Sequence, residues 1–551
     1  MTVQRVSNIW LDKVCEYYCS NKEAAFDQRE SLAKSLTMAV TRRTWICLGL
    51  LLVLAHVAYR PVSGFKRRSS NYYTAAVVEF TPAHKWGKNG TLTLRDNCQA
   101  YIEYIEQASK QDADIIVFPE DGLTSLYMPD RSLMDSWATV IPSPTDNYVP
   151  CTQNRIANVS ETLTSLSCAA RQNRIYVVVN IAEKELCTPN GKTCRDGVSY
   201  HNTNVVFDRT GKVVARYRKV NLYMEYRFDT TPVPEVITFD TDFGVTFGTF
   251  ICFDILFPVP ALNLTRNLGV TDFVYSTAWF SEVPFLTAVQ TQFGWSYGEN
   301  VNLLASGYHE ARNGNAGSGI YLGRKGLAVA TMTASPAHRL LIARVPKRNE
   351  LSKSSESSES SESSESSESS ESREQNEVQP KELGSIRLLH DNLTNYDSVL
   401  LNASMTEKLC YGDFCCNFDV RTNGPADSQI NYRAIVYDGV RLYGQDVHAG
   451  VRVCSVVQCY KGSMDSCGFP RSSDTTFTVL NITATYNDFS KLLIMPDVLD
   501  YSLLPIQRFS YTERTHGDQT SVSIALNRPT KNLLTFGLYA RDFTRDKNDR
   551  P

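Results

Sequence analysis

The chain lacks an excess of charge of either sign. Its 551 residues include 56 Lys and Arg against 59 Asp and Glu, which gives a formal net charge of -3. It also lacks a strongly basic stretch, so the electrostatic pattern typical of a nucleic-acid-binding protein is missing. Hydrophobic residues make up 42% of the chain, which is enough for at least two packed domains and excludes a wholly disordered protein. We therefore expect a small molecule or another protein as the partner, and no nucleic acid.

Long apolar runs are also scarce, because Trp45–Ala58 is the one segment of this kind. Its 14 residues are too few to cross a bilayer of ~30 Å comfortably as a helix. They suit the apolar region of a signal peptide, and Arg42 and Arg43 supply the basic flank that such peptides carry.

A start at Met38 would give this signal an ordinary amino-terminal region. We therefore interpret residues 1–37 as an alternative-start extension and residues 38–58 as a signal peptide, cleaved near Ala55 or Ala58. An uncleaved signal anchor, which would make a type II membrane protein, is the alternative. Without that anchor we expect no stable membrane partner, since the polar carboxyl terminus lacks the apolar tail of a lipid-anchor signal.

Cysteine, in contrast, is frequent. Twelve of the 15 cysteines lie after residue 90, which is typical of a protein from an oxidising compartment with a disulfide framework. Six Asn-x-Ser/Thr triplets, all on the carboxyl side of the apolar run, are candidate glycosylation sites: Asn89, Asn158, Asn263, Asn392, Asn402 and Asn481. These features favour a secreted, extracellular glycoprotein.

Residues 73–345 alternate between short, nearly continuous apolar runs and longer amphipathic stretches, a pattern that predicts a layered α/β domain. We expect helices near residues 93–110, 158–173 and 286–303. The predicted strands are 75–80, 114–120, 175–184, 202–208, 213–219, 245–254 and 272–279.

A linker separates this domain from a second one. Residues 350–380 contain a run of Ser-Ser-Glu triplets, Ser354–Ser372, with no apolar residue, so we expect a solvated spacer. A phosphorylated acidic tract that binds cations is the alternative. Residues 382–545 show the period-2 alternation of strands and contain six cysteines, which predicts a β-rich domain with three disulfides of undetermined connectivity.

Common catalytic signatures are missing: the chain has no Gly-x-Ser-x-Gly elbow, no His-Glu-x-x-His and no phosphate-binding loop. Three polar residues, Glu120, Lys219 and Cys252, instead end predicted strands, where α/β sheets assemble their sites. A thiol with a pKa near ~8.5 needs a base or a nearby cation to act as a nucleophile. Glu120 could supply the base and Lys219 the cation, although each residue taken singly is more often structural.

The sequence around these three residues resembles the signature blocks of the nitrilase superfamily of carbon-nitrogen hydrolases, and more narrowly its vanin and biotinidase branch. The resemblance lies in Asp114–Thr124, Tyr217–Thr231 and Thr249–Leu262, and extends to the cysteine spacing of Cys454–Gly468. Ser276–Phe280 also matches, with an expected helix after it that ends in Val301–His309. The resemblance implies a four-layer α-β-β-α sandwich followed by a vanin-type, disulfide-containing domain.

The resemblance also implies a Cys-Glu-Lys triad and no metal or organic cofactor. Cys252 would be the nucleophile, Glu120 the proton acceptor, and Lys219 the proton donor that stabilises the oxyanion. Glu225 would orient the lysine, and the backbone amide of Phe253 would contribute to the oxyanion site.

The implied substrate is a small linear amide, pantetheine-like or biotinyl. Tyr223, Trp279 and Phe280 are candidate pocket walls, although core packing would explain them equally well. An inactive binding or structural protein that retains the fold is the alternative function, and acyl transfer to an acceptor other than water is a third. The sequence leaves the oligomeric state open.

Cysteine parity bears on the proposed nucleophile. If Cys252 is free, five cysteines are left in the first domain, so at least one more thiol must be unpaired. Cys187 and Cys194 bracket a predicted turn and could pair locally. A disulfide at Cys252 itself would abolish catalysis.

Overall fold

The structure is a computed structural model that describes residues 70–85, 89–153, 156, 158–189, 194, 196–335, 339–348, 385–424 and 429–547. The described residues form one compact unit. The predicted extension (1–37), signal segment (38–58) and linker (350–380) lie outside them. Within the described part of the chain, no helix is both long enough and apolar enough to cross a membrane.

Two six-stranded sheets form the first half of the protein. Sheet one has the order β13-β1-β2-β3-β4-β5, with β1 Tyr72–Glu79, β2 Ile115–Val117, β3 Tyr176–Leu186, β4 Val198–Phe207, β5 Val213–Arg218 and β13 Arg339–Pro346. Sheet two has the order β12-β11-β10-β8-β7-β6, with β6 Thr238–Asp240, β7 Thr246–Ile251, β8 Asp272–Thr277, β10 Asn302–Gly307, β11 Ser318–Leu322 and β12 Leu327–Thr331. In each sheet the three central strands, β1-β2-β3 and β7-β8-β10, are parallel.

Helices cover the outer faces of the two sheets. The helices are α1 Thr91–Ser109, α2 Glu161–Asn173 and α3 Ala288–Gly298. Because side chains alternate along a strand, Ala76 and Val78 of β1 pack on the side of α1 and α2. Ala75 and Val77 pack instead against residues of sheet two such as Leu304. The order helix, sheet, sheet, helix confirms the expected four-layer sandwich.

The predicted strands correspond to observed ones with shifted ends, but the third predicted helix is wrong at its carboxyl end. Helix α3 stops at Gly298, and β10 occupies the expected helical end at Val301–His309. Asn300 breaks the helix with a left-handed backbone, at φ 52°. The apolar run that follows belongs to a fully buried strand, which periodicity alone cannot distinguish from a buried helix. The strand predicted over 245–254 also ends early, at Ile251, and Cys252 begins a short 3-10 helix.

The second half of the protein consists of antiparallel strands in two five-stranded sheets. One has the order β15-β18-β19-β24-β21, with β15 Asp397–Leu400, β18 Ile430–Tyr443, β19 Val447–Tyr460, β21 Leu492–Asp500 and β24 Leu533–Lys547. The other has the order β16-β17-β20-β23-β22, with β16 Ser404–Tyr411, β17 Phe414–Asn423, β20 Thr476–Asn487, β22 Phe509–His516 and β23 Gln519–Leu526. A parallel pair, β9 Glu282–Val283 and β14 Leu389–His390, connects this half to the sandwich.

Five disulfides join the described cysteines, and two thiols are free. The expected local pair Cys187–Cys194 is present, and the six cysteines of the second half form three disulfides. The bonded pairs are Cys151–Cys168, Cys187–Cys194, Cys410–Cys415, Cys416–Cys454 and Cys459–Cys467. Cys98 and Cys252 are free and buried, so the proposed nucleophile is not part of a disulfide.

Two glycines on α3 allow the two halves to approach closely. A Cβ added at Gly294 would lie 2.8 Å from the carbonyl oxygen of Pro496 in β21. One added at Gly298 would lie 2.6 Å from the carbonyl oxygen of Ile494. Both distances are shorter than van der Waals contact, so any larger residue would force the helix and the strand apart.

Candidate active site

The strand ends bring Glu120, Lys219 and Cys252 together where the two sheets meet. Glu120 follows β2 by three residues, and Lys219 follows β5 directly, both in sheet one. Cys252 follows β7 of sheet two directly. The ends of strands from both sheets therefore contribute to one buried cluster, as α/β sites commonly require.

Glu120 is fixed in orientation by three N–H donors. Its Oε1 accepts hydrogen bonds from Lys219 Nζ at 2.7 Å and from Asn202 Nδ2 at 2.9 Å. Its Oε2 accepts one from the backbone amide of Ala278 at 2.7 Å. The side chains of Lys219 and Glu120 are 1% and 3% exposed, so this ion pair is desolvated.

Glu225 lies on the other side of the lysine. Lys219 Nζ donates to Glu225 Oε2, and Asn202 Nδ2 donates to Glu225 Oε1 at 2.6 Å. Burial by itself lowers the pKa of Lys219, but the facing carboxylates Glu120 and Glu225 raise it well above its ordinary value. Lys219 is therefore an ammonium. Two of its three protons point at carboxylates, and the third is available to another acceptor.

Cys252 has an unusual backbone for a residue with a side chain. Its φ is 47°, in the left-handed region, which costs roughly 1–3 kcal/mol and persists only where the surroundings impose it. Tyr275 Oη donates to the carbonyl oxygen of Cys252 at 2.9 Å. Asp254 accepts a hydrogen bond from the amide of Ile251 at 3.0 Å. These contacts fix the turn at which β7 ends and Cys252 begins the short 3-10 helix.

The surroundings of Cys252 favour the neutral thiol over the thiolate. Burial raises its pKa well above the ordinary value, and the charge of Glu120 raises it further. Lys219 acts in the opposite direction but does not reverse the shift. An attack by this sulfur must therefore be coupled to transfer of its proton to a base, and Glu120 is the carboxylate with the largest effect on the thiol.

Asp254 organises the segment that follows the cysteine. It is fully buried and accepts hydrogen bonds from Tyr217 Oη at 2.6 Å and from the backbone amide of Asn221 at 2.8 Å. Burial raises the pKa of Asp254 to about 6, and these hydrogen bonds counteract part of that rise. The contacts connect the segments that carry Lys219 and Cys252, so they fix the distance between the two.

A pocket opens onto Cys252. Tyr223, Trp279 and Phe280, which the sequence suggested as pocket walls, all line it. The indole nitrogen of Trp279 donates to the carbonyl oxygen of Leu286 at 2.8 Å, which fixes the ring in the wall. Phe253 lines the pocket too.

Sequence reasoning missed several residues of this site. Asn202, which donates to both carboxylates, lies in a largely polar stretch of β4, Ser199–Asn204, so its sequence context did not single it out. Asp254 lies in the recognised cysteine block, but its sequence context gave no role. Leu389 and Tyr443 line the pocket from the second half of the chain, and no local signal could have revealed them.

The six predicted glycosylation sites differ in accessibility. Asn263 is half-buried in a helical segment, Pro258–Asn267. The other five are exposed: Asn89, Asn158, Asn392, Asn402 and Asn481.

Comparison with known families assigns both halves of the chain. The carbon-nitrogen hydrolase family matches residues 74–291, and the vanin C-terminal domain matches residues 386–546. Together the two matches include every residue of the cluster described above.

Individual relatives agree with these matches over most of the chain. Vanin-like protein 1 of Drosophila melanogaster is 38% identical over 90% of this chain and 90% of its own length. Pantetheinase of Mus musculus is 31% identical over 80% of this chain and 82% of its own. Biotinidase of Takifugu rubripes is 34% identical over 68% of this chain and 75% of its own. The chain therefore belongs to the vanin family of carbon-nitrogen hydrolases, and it is a hydrolase of carbon–nitrogen bonds other than peptide bonds.

Proposed function

We propose that this protein is a secreted amidohydrolase that cleaves a linear amide of a small, vitamin-like molecule through a thioester on Cys252. The observation that carries the proposal is the desolvated contact of 2.7 Å between Glu120 and Lys219, next to a free thiol that lines a pocket. A base, a cation and a nucleophile are the three groups that acyl transfer from an amide requires.

In the first step Cys252 attacks the amide carbonyl as Glu120 takes the thiol proton. The carbon–sulfur bond forms, and the carbonyl oxygen becomes an oxyanion. The third proton of Lys219 and the backbone amide of Phe253 would donate to this oxygen. Preorganised donors of this kind in a water-poor site are worth about 3–4 kcal/mol each.

The intermediate then collapses. The carbon–nitrogen bond breaks, and Glu120 returns its proton to the departing amine, which leaves the acyl group as a thioester on Cys252. Water, deprotonated by the same carboxylate, attacks the thioester. The carbon–sulfur bond breaks, the acid departs, and Cys252 recovers its proton from Glu120.

The names of the relatives suggest two substrate classes, pantetheine and biotinyl amides. The pocket is lined mainly by apolar residues and by one carboxylate, Glu282, so it suits an uncharged chain; the apolar residues include Phe253, Leu256, Trp279, Phe280 and Leu286. This lining is compatible with either class.

Secretion is supported by the cysteine chemistry. Five disulfides in the described residues are typical of a protein that folds in an oxidising compartment. The apolar segment Trp45–Ala58 would direct the chain there, and five exposed Asn-x-Ser/Thr triplets would accept glycans.

The test is a hydrolysis screen of the purified, secreted protein with pantetheine and with biotinyl-lysine, read by release of the amine. Intact-mass measurement during turnover should detect an acyl adduct, and peptide mapping should place it on Cys252. Two results together would refute the proposal. The protein would hydrolyse neither amide, and iodoacetamide would label Cys252 of the native protein no faster than it labels Cys98.

A further inference from the structure

Part of the pocket wall belongs to the second half of the chain. Leu389 of β14 and Tyr443 of β18 line the pocket that contains Cys252. The ring of Tyr443 lies 5.7 Å from the ring of Phe253, the residue after the nucleophile. The vanin-type half therefore reaches the immediate surroundings of the reacting sulfur.

Arg441 connects the groups of this wall. Its guanidinium donates to Glu282, which also lines the pocket, and to Asp391 at 3.2 Å. The same guanidinium lies 4.6 Å from the centroid of the Tyr443 ring. The arginine side chain is 13% exposed and that of Glu282 is 18% exposed, so the ion pair is largely removed from water. Burial opposes the positive charge of Arg441, and the facing groups compensate for it.

Two further contacts fix the same wall. Glu282 and Leu389 are paired in the parallel ladder of β9 and β14. The hydroxyl of Tyr443 forms a hydrogen bond with that of Tyr539. Glu282, Leu389 and Tyr443 thus have fixed positions relative to one another, as a specificity surface requires.

We propose that the substrate pocket is composite, with Leu389 and Tyr443 as contact residues and Glu282 as the acceptor for a hydroxyl or amide N–H of the substrate. Arg441 is the positioning residue that orients Glu282 and Tyr443. This inference rests on the proposed amidohydrolase function and extends it to the recognition of the substrate. A carboxylate has room for about four hydrogen bonds, so the contact with Arg441 leaves Glu282 able to accept from a ligand. A neutral substrate with hydrogen-bond donors fits this wall, whereas a substrate with a carboxylate against Glu282 would be rejected.

Arg441→Met tests the positioning role, and Arg452→Met is the matched control. Arg452 also pairs with two carboxylates, Asp438 at 3.1 Å and Asp542 at 3.0 Å, and lies 5.6 Å from the ring of Phe414. It is 17% exposed, and it is not among the pocket residues.

With the better substrate of the screen, Arg441→Met should raise KM about tenfold or more, with kcat within about threefold of the wild type. Arg452→Met should change KM less than about twofold. The rate of Cys252 alkylation by iodoacetamide should be the same in all three proteins, because this small reagent does not need the wall. Equal KM changes in the two arginine variants would overturn the inference.

A second pair of variants covers a failure of Arg441→Met to fold. Leu389→Ala truncates a side chain that is 38% exposed, and Leu400→Ala truncates one that is 43% exposed elsewhere in the same half. Leu389→Ala should raise KM several-fold, and Leu400→Ala should not. If the wild type is active and Leu389→Ala leaves KM unchanged, the composite pocket is overturned and the proposed function is not. A wild type that hydrolyses neither amide overturns the proposed function and this inference with it.

Discussion

Lys219 and Glu120 are 99 residues apart in the chain, yet their charged atoms lie 2.7 Å apart in an interior from which solvent is almost excluded. Such a pair is strongly destabilising when one partner is removed, because the other charge is then buried without compensation. The same contact that would orient the base for catalysis therefore also matters for folding.

Replacing Lys219 should lower both the stability of the fold and the rate of turnover. Lys219→Met leaves Glu120 and Glu225 facing each other without a cation, so we expect about 3–5 kcal/mol of lost stability. Turnover should fall by about 10³-fold or more, since an oxyanion donor disappears as well. Unfolding curves in denaturant and initial rates on the preferred amide measure the two effects.

Lys184→Met is the control for this variant. Lys184 forms an ion pair with Asp135 at 2.8 Å, but that carboxylate is 79% exposed. The pair is screened by water, so its loss should cost about 0–1 kcal/mol and leave turnover unchanged. Near wild-type activity in Lys219→Met would refute the role assigned to Lys219.

The two free thiols allow a direct test of the nucleophile. Cys252→Ala should abolish turnover and the acyl adduct while the fold persists, because only one buried atom is lost. Cys98→Ala removes a thiol that is equally buried but lies against α2, and it should retain activity and form the adduct. An acyl adduct that survives in Cys252→Ala would place the nucleophile elsewhere.

Stability should decline at alkaline pH because of these thiols. Burial raises the pKa of Cys98 from about 9 to about 12, so folding favours its neutral form. A raised folded-state pKa gives a stabilising contribution that is complete below the unfolded value and is lost as pH rises from about 9 towards 12. Between pH 8.5 and pH 10 the wild type should therefore lose about 1 kcal/mol more than Cys98→Ala. If the free energies of unfolding of the wild type and of Cys98→Ala, measured in urea, fall equally with pH, the prediction is contradicted.

Deletion of Ser354–Ser372 should leave turnover intact. All residues of the proposed site lie outside this tract, and its composition is that of a spacer. A comparison of kcat/KM for the full chain and the deletion variant decides between the spacer and a functional acidic tract. A loss of more than about tenfold would favour the second interpretation.

The sequence predicted the cluster at the strand ends because its three members each follow a buried strand and lie in recognisable blocks. Glu120, Lys219 and Cys252 meet in the structure, and their catalytic roles stay a prediction. Helix α3 shows where local patterns mislead, since the apolar residues from Leu303 onward suit a buried strand as well as a buried helix.

Contacts between the two halves could not be predicted at all. Arg441 meets Glu282 across 159 residues, and neither has a local sequence context that suggests a pocket. Hydrophobic periodicity reports which face of an element is buried, but it does not report what that face is buried against.

The close approach of Gly294 and Gly298 to β21 has a consequence for proteolysis. A protease that cuts within the Ser-Ser-Glu tract would interrupt the polypeptide but would not release a free fragment. The nicked protein would elute as a single species in gel filtration. It would separate into two bands only on a gel run in denaturing detergent.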